Sequence, residues 1–299
     1  MLTLKNRYFL IANGAAPIEW LPPHWTAPMP RDCIYFGLAF LEMEKRCRAQ
    51  GLRVYTTYDW NSLPEYGKSV VVLLLGEEIG RVPRYIRHVR AVFKTMRMRP
   101  YLGIHKWKFD ALRVSLLLKA VRDWAQYWRS LYAARHPPRK WPSRLREEST
   151  YLDVPLGYLN SESLPCKTIH ERQFDFLFAG QVLAPKKTGL LALLPLPKNS
   201  SRKRMLEAME KIKKDYPEFR FDGVFSTESA VQNEMDTRSY SQRMMDAKLC
   251  LAPRGNVVDT FRFFEGMRSG CIVVSEPLPP ERYYHDAPVV EVNDWAQLA

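Results

Sequence analysis

The sequence contains no apolar run long enough to cross a membrane. Its longest uninterrupted apolar runs, such as residues 70–75, have the length of a strand, whereas a membrane-spanning helix needs about 20 apolar residues. The first 14 residues include only a short apolar run, less than a secretory signal requires. We therefore expect neither a signal peptide nor a transmembrane helix.

Cysteines are few, and no two have the spacing of metal ligands or of a redox pair. Cys250 and Cys271 each lie in an apolar run, which predicts small buried side chains. An odd number of scattered cysteines predicts a reducing compartment and hence a cytoplasmic protein, either free or peripheral on a membrane. The five cysteines are Cys33, Cys47, Cys166, Cys250 and Cys271.

Acidic residues are nearly absent from one long segment. Residues 81–146 contain 18 Lys and Arg but only two Asp, a local excess of +16 in a chain whose net charge is +13. Such a concentration predicts an acidic partner. Because aromatic side chains stand between the cations, we predict peripheral contact of residues 81–146 with an anionic membrane. A polyanionic glycan acceptor is the next candidate.

Strand-sized apolar runs alternate with segments of helical spacing in both halves of the chain, which predicts two α/β domains. We expect domains at residues 1–150 and 173–299, joined by a linker at 151–172 that is rich in proline, serine and charge. Expected strands are residues 7–12, 53–58, 70–75, 174–179, 220–225, 249–252 and 271–275. Expected helices are residues 32–50, capped by Asp32, and residues 202–215, 240–247 and 259–269.

Two further segments of the first half have helical spacing. Residues 81–99 are predicted as a helix, although VRAVFK within them also fits a strand. Residues 108–134 are predicted as a longer helix, in which Trp124, Trp128 and Tyr132 recur every four residues. This spacing is more typical of core packing than of a ligand platform.

Residues 249–276 carry the clearest chemistry. A short strand leads into a turn containing Arg254 and Gly255, and then into a helix that Asp259 or Thr260 can cap. The first turn of a helix offers N–H groups and a partial positive charge to a phosphate. Ligands of open α/β sheets bind at the carboxyl ends of the strands, where this turn would lie. The segment therefore predicts a phosphate site.

A nucleotide diphosphate fits this segment better than a lone phosphate. Arg254 and Arg262 can each direct two donors at phosphate oxygens, while Glu265, about one turn into the helix, can accept hydrogen bonds from ribose hydroxyls. The alternative for Glu265 is an ordinary surface ion pair with Arg262 or Arg268. The predicted binding residues are Arg254, Gly255, Asn256, Thr260, Arg262, Glu265, Arg202 and Arg204.

The same segment resembles the exostosin-type glycosyltransferases, whose two Rossmann-like domains face each other across a cleft in the GT-B arrangement. The resemblance spans residues 240–275, with weaker similarity at residues 155–158 and 176–180. Val273 replaces a proline of the family pattern. The family's membrane anchor and its last helix have no counterpart, which predicts a trimmed chain or a short member. Matching residues are Cys250, Pro253, Arg254, Gly255, Arg262, Phe264, Glu265, Gly270, Cys271 and Ile272.

The resemblance implies transfer of a sugar from a UDP-sugar donor to a glycan or lipid-linked acceptor, with inversion and without a metal or other cofactor. Glu265 would then hold the donor ribose. Arg254, with Arg202 or Arg204, would neutralise the diphosphate. The absence of an Asp-x-Asp pair from the sequence agrees with a metal-independent enzyme.

An inverting transfer needs a general base, which we expect at the end of a strand in the first domain. Glu77 and Glu78 are the preferred candidates because they follow the most apolar strand. Asp59 follows another strand and is also a candidate. His105 lies between lysines and is more typical of a surface histidine.

Two other functions remain open from the sequence. A non-catalytic partner subunit of a glycan-synthesising complex would keep the fold without the activity. The pI near 9.5 also suits a nucleic-acid-binding protein, but no recognition motif for nucleic acid is present. We therefore expect no nucleic-acid partner.

Overall fold

The structure is a computed structural model that describes residues 4–12, 15–24, 31–76, 79–103, 110–136, 150–159, 162, 164–181, 196–226 and 237–299. Internal contacts divide the chain into two units. The first unit comprises Met1–Pro100 and Ala120–Gly157, and the second comprises Tyr101–Lys119 and Tyr158–Ala299. This division differs from the predicted domains, because residues 101–119 group with the second half of the chain.

The first unit is built on a six-stranded sheet in the order β2-β1-β3-β4-β5-β6, in which only β2 is antiparallel to its neighbour. Its strands are β1 (Arg7–Ile11), β2 (Ile18–Trp20), β3 (Arg53–Thr57), β4 (Gly67–Leu74), β5 (Val89–Thr95) and β6 (Tyr151–Val154). Its helices are α1 (Asp32–Arg46) and the greater part of α2 (Ala111–Arg135).

Strand β4 lies inside the sheet and is covered on both faces. Val71 and Leu73 pack in the core that contains Phe36 of α1, whereas Val72 and Leu74 pack in the core against the opposite face. A parallel strand buried on both faces has a continuous apolar sequence. This burial explains the run VVVLLL and confirms the strand that we predicted there.

The helix predicted for residues 81–99 is wrong. Only Ile86–His88 form a turn of 3-10 helix, and Val89–Thr95 are strand β5, paired in parallel with β4 from Val71↔Ala91 to Leu74↔Lys94. The apolar residues of β5 fit a helical repeat and a strand repeat equally well. Hydrogen bonding to β4 and β6 decides between them, and that pairing is a tertiary interaction.

Two smaller differences concern boundaries. The N-cap of α1 is Arg31, which makes no side-chain cap hydrogen bond, and the predicted cap Asp32 is the first residue of the helix. The segment predicted as the linker, residues 151–172, begins with β6, the edge strand next to β5. Among the described helices, none is long and apolar enough to cross a membrane.

The second unit is built on a five-stranded parallel sheet in the order β11-β10-β9-β7-β8. Its strands are β7 (Phe174–Gln181), β8 (Phe221–Ser226), β9 (Ala247–Ala252), β10 (Ile272–Ser275) and β11 (Val289–Glu291). Its helices are α3 (Pro197–Asp215), α4 (Thr237–Met245) and α5 (Phe261–Arg268). The strands and helices that we predicted for this half are confirmed. Both units are therefore α/β folds built on largely parallel sheets.

Candidate functional site

The strand order of the second unit defines where a ligand is expected. Counted along the chain, its five strands have the order 2-1-3-4-5, which is the doubly wound order of flavodoxin-like folds. The connections diverge between the first and third strands, here β7 and β9. A crevice forms at such a switch point, outside the carboxyl ends of the strands. The predicted turn, residues 253–256, directly follows β9 and lies at this end of the sheet.

The turn after β9 uses its backbone amides internally. Arg254 N donates to Glu276 Oε2 at 3.0 Å, and Gly255 N donates to the carbonyl oxygen of Val257 at 2.9 Å. Asn256 is exposed at the tip of the turn. The sequence predicts these amides as part of a phosphate cradle, but in this structure both have protein acceptors. The turn therefore offers an anion its side chains rather than these two N–H groups.

Helix α5 is capped by Thr260, whose Oγ1 accepts a hydrogen bond from Phe263 N at 3.3 Å. Asp259, the alternative cap, is buried, and its carboxylate accepts a hydrogen bond from the Tyr284 hydroxyl instead. The cap directs the start of α5, and with it Arg262, towards the end of β7.

Arg262 is held against the last residues of β7. Its Nε donates to the carbonyl oxygen of Ala179 at 2.6 Å, and its guanidinium lies 4.7 Å from the centre of the Phe178 ring. A Cβ added to Gly180 would lie 1.9 Å from Arg262 Nη2. Gly180 is therefore the residue that leaves room for this guanidinium at the switch point.

Arg202 of α3 is buried beside Arg262. Its side chain donates to the carbonyl oxygen of Gln181 at the end of β7, while its Nε is buried without a hydrogen-bond partner among the described residues. Burial, together with the like charge of Arg262, lowers the pKa of Arg202 to about 9, against the opposing effect of Glu276. Such a buried cation is costly unless an anion accompanies it.

We call Arg202, Arg254 and Arg262 the arginine cluster. Arg254 is also buried, and its backbone places it beside the same Glu276 that acts on Arg202. The structure therefore brings these three predicted residues to the carboxyl ends of β7 and β9. The arrangement concentrates positive charge where the topology predicts a ligand.

Arg204 does not belong to this cluster. Its guanidinium lies 3.4 Å from an Asp110 carboxylate oxygen and 3.6 Å from one of Asp294, at a small cavity that Arg254 and Glu276 also line. Two carboxylates thus pair with Arg204, and one of them, Asp110, also pairs with Arg113. Of the two alternatives for diphosphate binding, the geometry favours Arg202.

Glu276 is a site residue that the sequence analysis missed. It directly follows β10, and besides Arg254 N its carboxylate accepts a hydrogen bond from the buried indole of Trp295 at 3.3 Å. Its position immediately after a strand, at the ligand-binding edge of a parallel sheet, is the signal that could have identified it. Glu276 fixes the turn that carries Arg254.

Glu265 lies further along α5 and is 5% exposed. Its Oε2 accepts a hydrogen bond from the Tyr240 hydroxyl at 2.8 Å, and its Oε1 accepts a weaker one from Leu159 N at 3.4 Å. Burial raises its pKa, while Tyr240 and the charge of Arg262 act in the opposite direction. Glu265 is therefore no surface ion pair but a buried carboxylate close to the arginine cluster.

A cavity of about 240 Å³ opens beside Glu265. It combines two carboxylates, hydroxyl groups and an arginine with thioether side chains, a mixture that suits a polar ring with an apolar face. The residues that line it include Glu162, Cys166, Tyr240, Met244, Glu265 and Arg268.

Glu265 should leave a signature in the pH dependence of stability. The pKa of Glu265 is raised in the native state above the value of 4.5 expected for the unfolded chain. Its stabilising contribution is therefore fully present below pH 4.5 and is lost as the pH rises through the native pKa. We expect the free energy of unfolding of the wild type, relative to Glu265→Gln, to increase as the pH falls from about 7 towards 4.5 in urea titrations.

Glu44 provides the matched control with the opposite sign. Burial acts to raise its pKa, but hydrogen bonds from Tyr8, Lys5 and Asn6 outweigh burial and lower it. Relative to Glu44→Gln, the wild type should therefore lose stability as the pH falls through the native pKa of Glu44. Parallel pH profiles for the two variants would contradict the environment assigned to Glu265.

The general-base candidates of the first unit have different outcomes. Asp59 lies at the end of β3 as predicted, but its carboxylate accepts hydrogen bonds from Asn61 N at 2.7 Å and the Ser62 hydroxyl at 3.3 Å. This is an Asx turn, which gives Asp59 a local structural role. Glu77, Glu78 and His105 lie outside the described residues. Among the described residues, no cluster of His, Cys, Asp and Glu has the arrangement of a metal site.

The fold and site together define an α/β protein with a doubly wound second unit and a cationic group at its switch point. No family model matches the chain, and no curated protein is significantly similar to it. The exostosin-type family assignment therefore stays a prediction from residues 240–275.

Proposed function

We propose that this protein is an exostosin-like glycosyltransferase of the GT-B type, which moves a sugar from a nucleotide-sugar donor, preferably a UDP-sugar, to a glycan or lipid-linked acceptor. The observation that carries the proposal is the burial of Arg202 beside Arg262 at the switch point of the second unit. A buried guanidinium whose pKa is lowered beside a second one, at a ligand-binding edge, favours an anionic ligand, and a diphosphate supplies two negative groups.

The cavity beside Glu265 supports a nucleotide rather than inorganic phosphate. In the proposal, the diphosphate lies on the arginine cluster and the ribose enters the cavity, where Glu265 accepts hydrogen bonds from its hydroxyl groups. The Tyr240 hydroxyl holds the carboxylate in place for this contact. Arg202 and Arg262 would stabilise the charge that develops on the leaving diphosphate.

The acceptor proton would go to a base that the described residues do not identify. The preferred candidates remain Glu77 and Glu78, because the carboxylate of Asp59 already accepts two local hydrogen bonds. Inversion, the absence of a metal requirement and the acceptor class rest on the family resemblance alone.

A thermal-shift screen against UDP, GDP and CMP tests the donor site directly. A ligand that binds only the native state raises the melting temperature by mass action, so UDP should do so with the wild type. Glu265→Ala should weaken UDP binding by about 100-fold in calorimetry, since it removes a buried carboxylate that accepts the ribose hydroxyls. Glu44 is a buried carboxylate of the first unit, and the control variant Glu44→Gln should bind UDP as the wild type does.

The outcomes separate the competing functions. UDP affinity that Glu265→Ala leaves unchanged would contradict the assigned site. Nucleotide binding without hydrolysis or transfer of the sugar would identify the alternative, a non-catalytic partner subunit. Salt-dependent binding to DNA without any response to UDP would instead favour the nucleic-acid-binding alternative.

A further inference from the structure

Helix α2 exposes a continuous apolar stripe. Val121, Trp124, Trp128 and Tyr132 follow one another at intervals of three or four residues and are each between 40% and 66% exposed. A neighbouring side of the helix carries the core contacts of Tyr127, Leu131 and Ala134. The expectation that Trp124, Trp128 and Tyr132 pack in the core is therefore wrong. The helix buries one apolar face and presents a second one, which we call the aromatic face.

Positive charge borders the aromatic face. Arg129 and Arg135 are exposed next to the stripe, and the Arg122 side chain is 67% exposed on the same flank as Arg129. The one carboxylate of the helix, Asp123, is buried, and Arg122 contacts it at 3.0 Å. Among the described residues of α2, the aromatic face thus has exposed cations and no exposed carboxylate.

We propose that the aromatic face of α2 lies in the interface of an anionic lipid bilayer. The inference is separate from the donor site and does not depend on it. Tryptophan and tyrosine have an apolar ring with a polar edge and favour the headgroup level of a membrane. Arginines beside them attract anionic lipid headgroups. A helix that combines both along one straight face lies in the plane of the interface rather than crossing it.

The geometry of the aromatic face favours a lipid surface over a protein partner. Trp124 and Trp128 stack on each other, with ring centres 6.4 Å apart, and both are exposed. Exposed aromatic rings insert into a fluid layer without needing a complementary pocket. The cations lie beside these rings, where headgroup phosphates would lie once the rings are immersed.

Vesicle flotation of the full chain tests the proposal. Binding to vesicles of phosphatidylcholine and phosphatidylserine should exceed binding to pure phosphatidylcholine by about tenfold and weaken with added salt. Brominated lipids should quench the tryptophan fluorescence. Trp124→Ser/Trp128→Ser should lose about tenfold in affinity and most of the quenching, whereas Arg129→Gln/Arg135→Gln should lose the preference for phosphatidylserine.

Control variants remove an aromatic ring or two charges elsewhere on the surface. Tyr216→Ser removes an exposed aromatic ring of the second unit, and Lys45→Gln/Arg46→Gln removes two exposed charges of α1. Both controls should bind as the wild type does, and circular dichroism should show all variants folded. Absence of binding to anionic vesicles, or unchanged binding by the tryptophan variant, would overturn the proposal. A dimer that the tryptophan variant dissociates would likewise overturn it, because the face would then join two copies of the chain.

Discussion

Replacing Arg202 by methionine should weaken UDP binding strongly and at the same time stabilise the protein. In the unliganded state the Arg202 guanidinium is buried beside Arg262, which lowers its pKa to about 9. A buried cation next to a like charge destabilises the fold, and replacement of buried charges by apolar side chains is often stabilising. Arg202→Met keeps most of the apolar stem, so we expect the free energy of unfolding to increase by about 1 kcal/mol and the melting temperature by about 2 °C.

The affinity for UDP should fall by about 100-fold, because hydrogen bonds between charged groups contribute more than neutral ones. A substitution that raises the free energy of unfolding but weakens ligand binding indicates a residue that is retained for function. Calorimetry and thermal unfolding of the same samples measure both effects.

Lys203→Met is the control for this pair of effects. Lys203 is the next residue of α3, its side chain is 77% exposed, and its distance of 3.7 Å from Glu207 marks an ordinary surface pair. The same unit of charge is removed, but stability and UDP affinity should both stay near the wild-type values. A destabilised Arg202→Met, or one that binds UDP normally, would show that the Arg202 guanidinium has a structural role only.

Replacing Gly80 by alanine should destabilise the first unit strongly. Gly80 has φ +75°, where alanine is strained, and an added Cβ would lie 2.3 Å from the backbone oxygen of Asp123 in α2. Ser130 supports this contact from the helix side, since its hydroxyl accepts from Val82 N and lies within hydrogen-bond distance of the carbonyl oxygens of Gly80 and Tyr127. Backbone atoms on both sides leave no flexible group to move. We expect a loss of about 3 kcal/mol in the free energy of unfolding, measured by urea denaturation.

Gly51→Ala separates the strain of the backbone from the steric clash. Gly51 has a similar φ of +70°, but nothing lies within 4 Å of an added Cβ. Its replacement should therefore cost only about 1 kcal/mol. Equal losses for the two variants would mean that α2 does not approach Gly80 as closely as the structure shows.

An element could be predicted from the sequence where neighbouring residues determine its conformation, and could not where distant residues determine it. The strand at residues 70–75 was recognisable because burial on both faces leaves only apolar residues in sequence. Strand β5 was not recognisable, because its apolar residues fit both a helical and a strand repeat. Pairing with the neighbouring strand β4 decides between the two. The aromatic stripe of α2 shows the same limit. Spacing identifies a face of a helix, but whether that face is covered depends on what packs against it.

The site divides in a similar way. The sequence by itself determined the turn after β9, the capped helix that follows it and the presence there of Arg254, Arg262 and Glu265, since these depend on neighbouring residues. Only the tertiary structure decided that Arg202 joins them while Arg204 pairs with Asp110 and Asp294, that Glu276 completes the group, and that Glu265 is buried. Charges separated along the chain act on one another only at distances that the folded sheet sets, and Coulomb interactions depend on those distances and on burial.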